Sequence, residues 1–342
     1  MPNTTDVIKA LIKKYAPLYV KRFIFSSQLY HTLPHLRGLI NGDVNIKSSP
    51  VVLLSMPRSG SSWLGSVLGS HASVRYLREP VTTPYMLSGR GKISVFSCKK
   101  KDTVQYNRYV KKALSGLPSS SLKVLPYLHQ WSELKTAKRL IIKEVNPLAL
   151  DVYIQQGCEI IYLSRHPYSI AKSYNALSWK SNQLIEKKFS DNELSLILNH
   201  HQTLFKESYA FQQGFLLGWI ESYSQQHLPN EASIIRYEDI CRAPKEGIKS
   251  LLEILDLPSS DPNVQATLKQ TLSGAKKNAG SFCIRRGASN IGYVEVPQDE
   301  QKQYDELMRG YNLAYTYFCR QFDIALSPLY NQNETFLKRE YL

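Results

Sequence analysis

Cysteine is scarce in this sequence and is placed without a pattern. Cys98, Cys158, Cys241, Cys283 and Cys319 are odd in number and far apart, which excludes a disulfide scaffold and a zinc site built on paired cysteines. Reduced thiols in a cytoplasm are the expectation. No stretch reaches the roughly 18 uninterrupted apolar residues that a membrane span requires, and the N-terminus has no compact apolar region ending in a small-residue cleavage site. The sequons at Asn3 and Asn333 carry little weight in a cytoplasmic chain. Internal repeats, low-complexity tracts and Gly/Ser linkers are missing too. The 342 residues therefore read as one elaborated domain, with a basic N-terminal helical extension (1–45), a core (50–310) and a C-terminal tail (325–342). Acidic residues are in deficit, 28 Asp and Glu against 43 Lys and Arg for a net charge of +15, so anionic partners are favoured. Nucleic acid is not expected among them, because no recognition module and no alternating basic and aromatic run is present.

Residues 7–30 mix Lys9, Lys13, Lys14, Lys21 and Arg22 with Leu11, Ile12, Tyr19, Phe23 and Phe25. Such a segment suits either the solvated face of a packed helix or a peripheral membrane contact. Pro17 interrupts any continuous helix there.

Strand and helix signals alternate along the rest of the chain. Residues 50–55, Pro-Val-Val-Leu-Leu-Ser, form the short apolar run expected in the middle of a parallel sheet. A helix opens near Ser61 and repeats apolar groups at Leu64, Val67 and Leu68. Further strands are expected at 139–143, 159–164 and 232–237. Helices are expected at 147–156, from Pro167 in the N1 position, and through Ile248, Leu251, Leu252 and Leu255 up to Pro258. The alternation implies an α/β fold with a central parallel sheet flanked by helices. Two long stretches, 84–138 and 178–228, have helical character and read as walls of a substrate cleft.

Ser55 to Trp63, Ser-Met-Pro-Arg-Ser-Gly-Ser-Ser-Trp, joins the first strand to the first helix. Free backbone N–H groups and the helix dipole attract an anion at that position. Gly60 permits close approach, Ser61 and Ser62 add hydroxyls, and Arg58 adds a fork suited to phosphate or sulfate oxygens. A nucleotide-hydrolysing loop would end in Gly-Lys-Ser/Thr, whereas Gly60-Ser61 stands here, which leaves no evident seat for magnesium. A metal-independent group transfer is the reading that follows.

Pro57 to Trp63 resembles the first motif of the sulfotransferases that use 3′-phosphoadenosine 5′-phosphosulfate (PAPS). Arg165-His166-Pro167 followed by Ser173-Tyr174, then Tyr237-Glu238-Asp239-Ile240, then Phe282-Cys283-Ile284-Arg285-Arg286-Gly287, are similar to the later motifs of that family in the same order. The last carries one inserted residue. The resemblance implies a P-loop-like three-layer fold with helical insertions around the acceptor. It also implies roles: Ser59, Gly60, Ser61 and Ser62 around the 5′-phosphosulfate, Arg58 on the oxygen that leaves, and Trp63 against the adenine. Arg165, Ser173, Arg285, Arg286 and Gly287 would hold the 3′-phosphate, and Tyr237 would border the adenine. Each has a plainer reading, Trp63 as a core aromatic, Arg165 as a helix-end ion pair and Tyr237 as the close of a strand edge.

The base departs from one branch of the family. Where small-molecule sulfotransferases have Lys-x-His-x-Pro, this chain has Lys143-Glu144-Val145-Asn146-Pro147, keeping the lysine and losing the histidine. Tyr76-Leu77-Arg78-Glu79-Pro80 is similar instead to the Leu-x-Glu-Pro segment of carbohydrate-type and bacterial members. Glu79 is thus the first candidate base, if partial desolvation lifts its pKa towards the working pH. Its plainer reading is a salt bridge to Arg78 or Arg75. Glu144 and a histidine from elsewhere follow as candidates. The acceptor is expected to be a hydroxyl of a carbohydrate or glycoconjugate, with a hydroxylated small molecule as the alternative. A protein that binds the nucleotide without transfer is the rival from another class. The adjacent His200 and His201 point to different helix faces and read as surface or cleft residues. The Lys99–Lys101 and Lys111-Lys112 clusters read as solvated faces.

Overall fold

The computed structural model describes residues 48–87, 100–116, 137, 139–179, 189, 191–272 and 296–330. Strands β1 (Val51–Ser55), β2 (Val74–Arg78), β3 (Arg139–Glu144), β4 (Glu159–Ser164) and β5 (Ser233–Arg236) form one parallel sheet in the order β2-β3-β1-β4-β5. Every residue of β1 is buried, because the strand sits mid-sheet with helices on both faces. Among the described residues the helices are α1 (Ser61–Gly69), α2 (Thr82–Leu87), α3 (Lys100–Leu114), α4 (Leu150–Ile154), α5 (Pro167–Ala176), α6 (Asp191–His200), α7 (Tyr209–His227), α8 (Tyr237–Arg242), α9 (Pro244–Ile254), α10 (Pro262–Leu272) and α11 (Gln301–Phe322).

The pleat of the strands divides the core into two layers. Val51 and Leu53 point to the face covered by Leu64 and Leu68 of α1, Leu251 of α9 and Leu268 of α10. Val52 and Leu54 point to the other face, covered by α4, α5, α7 and α11 through residues such as Val152, Ile170, Phe215 and Tyr311. On that side α7 and α11 lie nearly backbone to backbone. A Cβ on Gly214 would fall 1.9 Å from Leu307 O, and one on Gly310 would fall 2.2 Å from Phe211 O.

The α/β architecture agrees with the expectation, with five differences in detail. β2 is an additional strand: its two arginines hide it from an apolar-run criterion, yet all five of its residues are buried. The helix expected over 147–156 is a 3-10 turn, Pro147–Ala149, followed by the five-residue α4. Tyr237 opens α8 rather than closing β5. Residues 211–222 are not a cleft wall, because Phe211, Phe215 and Trp219 of α7 are buried in the main core, while Tyr209 at the start of α7 is exposed. The chain packs on beyond residue 310, since α11 crosses that position and Tyr330 is fully buried. The basic segment 7–30 and Lys99 lie outside the described residues; Lys111 and Lys112 are exposed on α3.

Candidate active site

The chain leaves β1 through α1 towards β2 on one side of the sheet, whereas β4 leads on towards β5 on the other. Their loops part in opposite directions, which opens a crevice over the strand ends where open α/β sheets bind ligands. The loop from Met56 to Gly60 crosses that crevice under strain. Arg58 has φ 71° and Gly60 has φ 86°, and a non-glycine residue in the left-handed region persists only where its surroundings hold it there. Gly60 has a second constraint, since a Cβ would lie 1.8 Å from the Tyr237 ring. Trp63 N and Leu64 N donate back to Gly60 O (3.0 and 3.2 Å), and no side chain caps α1. The N–H groups of Ser61 and Ser62 are therefore left at the helix start as an anion cradle. Ser55 Oγ donates to Ser61 Oγ at 2.7 Å, while the buried Ser59 Oγ has no hydrogen-bond partner among the described residues.

Cations gather on this cradle from three strand ends. Arg58 Nε donates to Ser173 Oγ of α5 at 2.8 Å. Arg165 follows β4, donates through Nη1 to Arg58 O at 2.8 Å, lies 4.7 Å from the centre of the Tyr237 ring, and buries an Nε with no acceptor among the described residues. Arg78 closes β2 and donates through Nε to Ser62 Oγ at 3.3 Å. Burial and then the neighbouring Arg165 charge lower the Arg58 pKa from its ordinary value, as expected of cations held side by side. The Arg165 turn is fixed from beneath. His166 N donates to Glu238 Oε1 at 3.1 Å, Glu238 Oε2 accepts from Tyr330 Oη at 2.9 Å, and His166 Nδ1 accepts from Tyr168 N at 3.2 Å. Burial, with Arg236 and Arg165 nearby, pushes His166 down to about 3, so it caps α5 as a neutral acceptor.

The candidate bases lie at the ends of β2 and β3, where Arg78 pairs in register with Lys143. Glu79, with φ 48°, is a second strained position in the site. Its N–H donates to Lys143 O at 2.7 Å, and its Oε1 meets Lys143 Nζ at 2.5 Å and Arg78 Nη2 at 3.2 Å. Burial alone would raise this carboxyl, but Lys143 and Arg78 outweigh it and hold it below the usual carboxylate range. The expected rise towards working pH is thus absent from the free protein, and the salt bridge foreseen for Glu79 is present, with Lys143 added as a partner. Glu144 is fully buried and accepts from Val81 N at 2.7 Å and Thr82 N at 3.2 Å. Burial raises its pKa. It holds the turn that carries Glu79 and has no exposed surface to offer an acceptor.

Trp63 of α1 is buried, donating through Nε1 to Thr271 Oγ1 of α10 at 3.0 Å, with its ring edge-on to Tyr237 at 6.4 Å. Arg285, Arg286 and Gly287 lie outside the described residues. His201 is stacked on Phe211 at 5.5 Å and lies 3.3 Å from Glu207. Among the described residues no group of His, Cys, Asp and Glu is disposed to hold a metal ion. Sequence reasoning missed Arg78 and Glu238 as site residues. Arg78 was visible only as a neighbour of Glu79, and Glu238 only as the middle of a strand-end motif.

The profile of the sulfotransferase domain family matches residues 48–281. No curated protein matches the chain. Similar solved structures include the sulfotransferase domain from the curacin biosynthetic pathway, 17% identical over 83% of this chain and 100% of that one, with a TM-score of 0.41. A sulfotransferase from Alicyclobacillus acidocaldarius is 11% identical over 82% and 98%, with a TM-score of 0.40. Mouse sulfotransferase SULT7A1 complexed with PAP is 16% identical over 88% and 95%, with a TM-score of 0.40.

Proposed function

Because this chain belongs to the sulfotransferase family, whose domain covers more than half of its length, we propose that it moves a sulfuryl group from PAPS to an acceptor hydroxyl by in-line displacement. The observation that carries this reading is the joint at Arg58, where the strained loop after β1 meets Arg165 and Ser173 of the turn and helix after β4. One anion fits the Ser61 and Ser62 N–H groups. A second fits Arg165 and Ser173, while the orphaned Ser59 Oγ and Arg165 Nε supply unused hydrogen-bonding capacity. A nucleotide carrying both a 5′-phosphosulfate and a 3′-phosphate matches that pair of sites. Arg285, Arg286 and Gly287 would add to the second one.

In this reading the bond between sulfur and the phosphate oxygen breaks as the bond from sulfur to the acceptor oxygen forms. Arg58 and Lys143 stabilise the charge that builds on the leaving phosphate. Glu79 takes the proton of the acceptor hydroxyl. Tyr237 closes the adenine side against Gly60, and Trp63 supports that wall from the core. No metal is required, since arginines occupy the role of the charge-neutralising ion.

The acceptor in this reading is a carbohydrate or glycoconjugate hydroxyl. Two features support it: the carboxylate in the Leu-Arg-Glu-Pro turn beside Lys143, and a partly exposed aromatic group beyond α5. There Trp179 leans on Tyr174 at 5.2 Å, and Tyr209 Oη donates to Trp179 O at 2.8 Å. Aromatic faces with a polar handle suit sugar rings. A cytoplasmic site of action is part of the proposal, supported by cysteines that are few, odd in number and far apart in the sequence. No helix among the described residues is long and apolar enough to cross a membrane, and residues 7–30 remain the proposed place for any peripheral contact.

The test is calorimetric titration, without added metal, with 3′-phosphoadenosine 5′-phosphate and with adenosine 5′-phosphate. Binding favoured by the 3′-phosphate by at least about tenfold, or about 1.4 kcal/mol, is the expected result. Equal or absent binding removes Arg165 and Ser173 from the role given to them, and the donor assignment with it.

A further inference from the structure

Arg78 stands between the two halves of the site. Its guanidinium donates through Nε to Ser62 Oγ at the anion cradle (3.3 Å) and meets Glu79 Oε1 through Nη2 (3.2 Å), while its side chain is only 4% exposed. Donor oxygens arriving at Ser62 compete with Glu79 Oε1 for this buried guanidinium. We propose that Arg78 couples donor binding to the base: an anionic donor at Ser62 draws the guanidinium from Glu79, so that the carboxylate accepts a proton only in the donor-bound enzyme. This rests on the donor site and the base assigned above.

The arrangement supplies the resting state that such coupling needs. Without donor, Glu79 is held by Arg78 from β2 and by Lys143 from β3. Among the described residues the other charged or titratable groups facing it are Glu144 of β3, Tyr76 of β2 and Arg58 of the loop. A carboxylate clasped by two cations is a poor base. Phosphate and sulfate oxygens compete for the same cations, and when they take Arg78 the proton affinity of Glu79 rises. The free protein then keeps its base quiet until a nucleotide anion occupies the cradle. Linkage makes the effect reciprocal: protonating Glu79 releases Arg78 and strengthens donor binding.

The coupling can be read without knowing the acceptor. Binding of 3′-phosphoadenosine 5′-phosphate is measured near pH 5.5 in buffers of different ionisation enthalpy, which counts the protons taken up. The count for Glu79→Gln is subtracted to isolate the share of Glu79. Wild type should show an excess uptake over Glu79→Gln, and Arg78→Met should lose at least half of it while binding the nucleotide about three- to tenfold more weakly. Arg78→Lys, whose single ammonium cannot bridge Ser62 and Glu79, should also show a reduced excess and decides the matter if Arg78→Met does not fold. An excess unchanged in the Arg78 variants overturns the coupling. Equal counts in wild type and Glu79→Gln, with binding intact, overturn it while leaving the donor site standing. Failure of wild type to bind the nucleotide brings down the donor reading itself, and is recognised by the missing affinity rather than by the proton count.

Discussion

Arg58 and Ser173 are 115 positions apart, and the Arg58 Nε donates to the Ser173 Oγ at 2.8 Å. The bond ties the loop after β1 to the helix after β4 across the crevice between their strands. Both residues are assigned to the donor, so this bond also relates the two anion sites to each other.

Ser173→Ala is expected to weaken 3′-phosphoadenosine 5′-phosphate binding by roughly tenfold, about the worth of one hydrogen bond to a charged group. Arg58→Ala should act mainly on turnover, lowering it by about 10²–10³ as for loss of one charge-stabilising donor. Titration of the nucleotide, together with the rate of its formation from PAPS in the presence of an acceptor found by screening, separates the two effects. Equal losses of affinity and rate in both variants would contradict the division of roles.

Gly60→Ala meets two obstacles, a φ of 86° and a Cβ position 1.8 Å from the Tyr237 ring. It should lower stability by more than about 1 kcal/mol and abolish nucleotide binding. Adding Tyr237→Ala relieves the contact but not the backbone strain. The double variant should regain part of the lost melting temperature and none of the binding.

Glu79 and Glu144 should separate cleanly. Glu79→Gln is expected to keep nucleotide binding and lose about 10²–10⁴ in turnover, the range for removal of a general base. Glu144→Ala leaves the N–H groups of Val81 and Thr82 buried without their acceptor and should cost about 1–3 kcal/mol of stability. Glu144→Gln keeps an acceptor oxygen and should recover most of that in chemical denaturation. If Glu144→Gln lost turnover as severely as Glu79→Gln at full stability, Glu144 would have to act on the acceptor directly.

Glu221 of α7 predicts a pH dependence of stability. It is fully buried, accepts hydrogen bonds from Ser164 Oγ and Tyr311 Oη, and burial raises its pKa to about 7. A carboxyl with a raised folded pKa binds more protons folded than unfolded between about pH 4.5 and 7, so its contribution falls as pH rises through that window. The penalty for ionising it is up to about 3 kcal/mol above the window. Glu221→Gln has no such penalty. Melting curves of the two proteins should therefore diverge in favour of the variant between pH 5 and 8, and parallel curves would place the ionisation elsewhere.

The chemistry of the loop was legible because it is local. The apolar run of β1, Gly60 at the turn and the serines at the start of α1 are consecutive, and backbone geometry alone makes that stretch an anion cradle. The same holds for the start of α5 at Pro167 and for the alternation that implies a parallel sheet. β2 was missed because Arg75 and Arg78 interrupt its apolar character. The sheet pairs the strand with β3 and buries both arginines, which no periodicity announces.

What sequence determines here is composition within segments: which stretches form strands, which residue types stand at a helix start, and where the Lys143 and Glu79 motifs fall. What tertiary structure decides is which of those residues share a charge environment. Glu79 and Glu144 are both carboxylates at strand ends. The parallel register of β2 and β3 sets one between Lys143 and Arg78 and the other beneath the N–H groups of Val81 and Thr82. The first is held ionised by cations and the second is driven towards neutrality by burial. Electrostatic energy depends on distances between groups far apart in the chain and on the water excluded around them, and folding is what sets both.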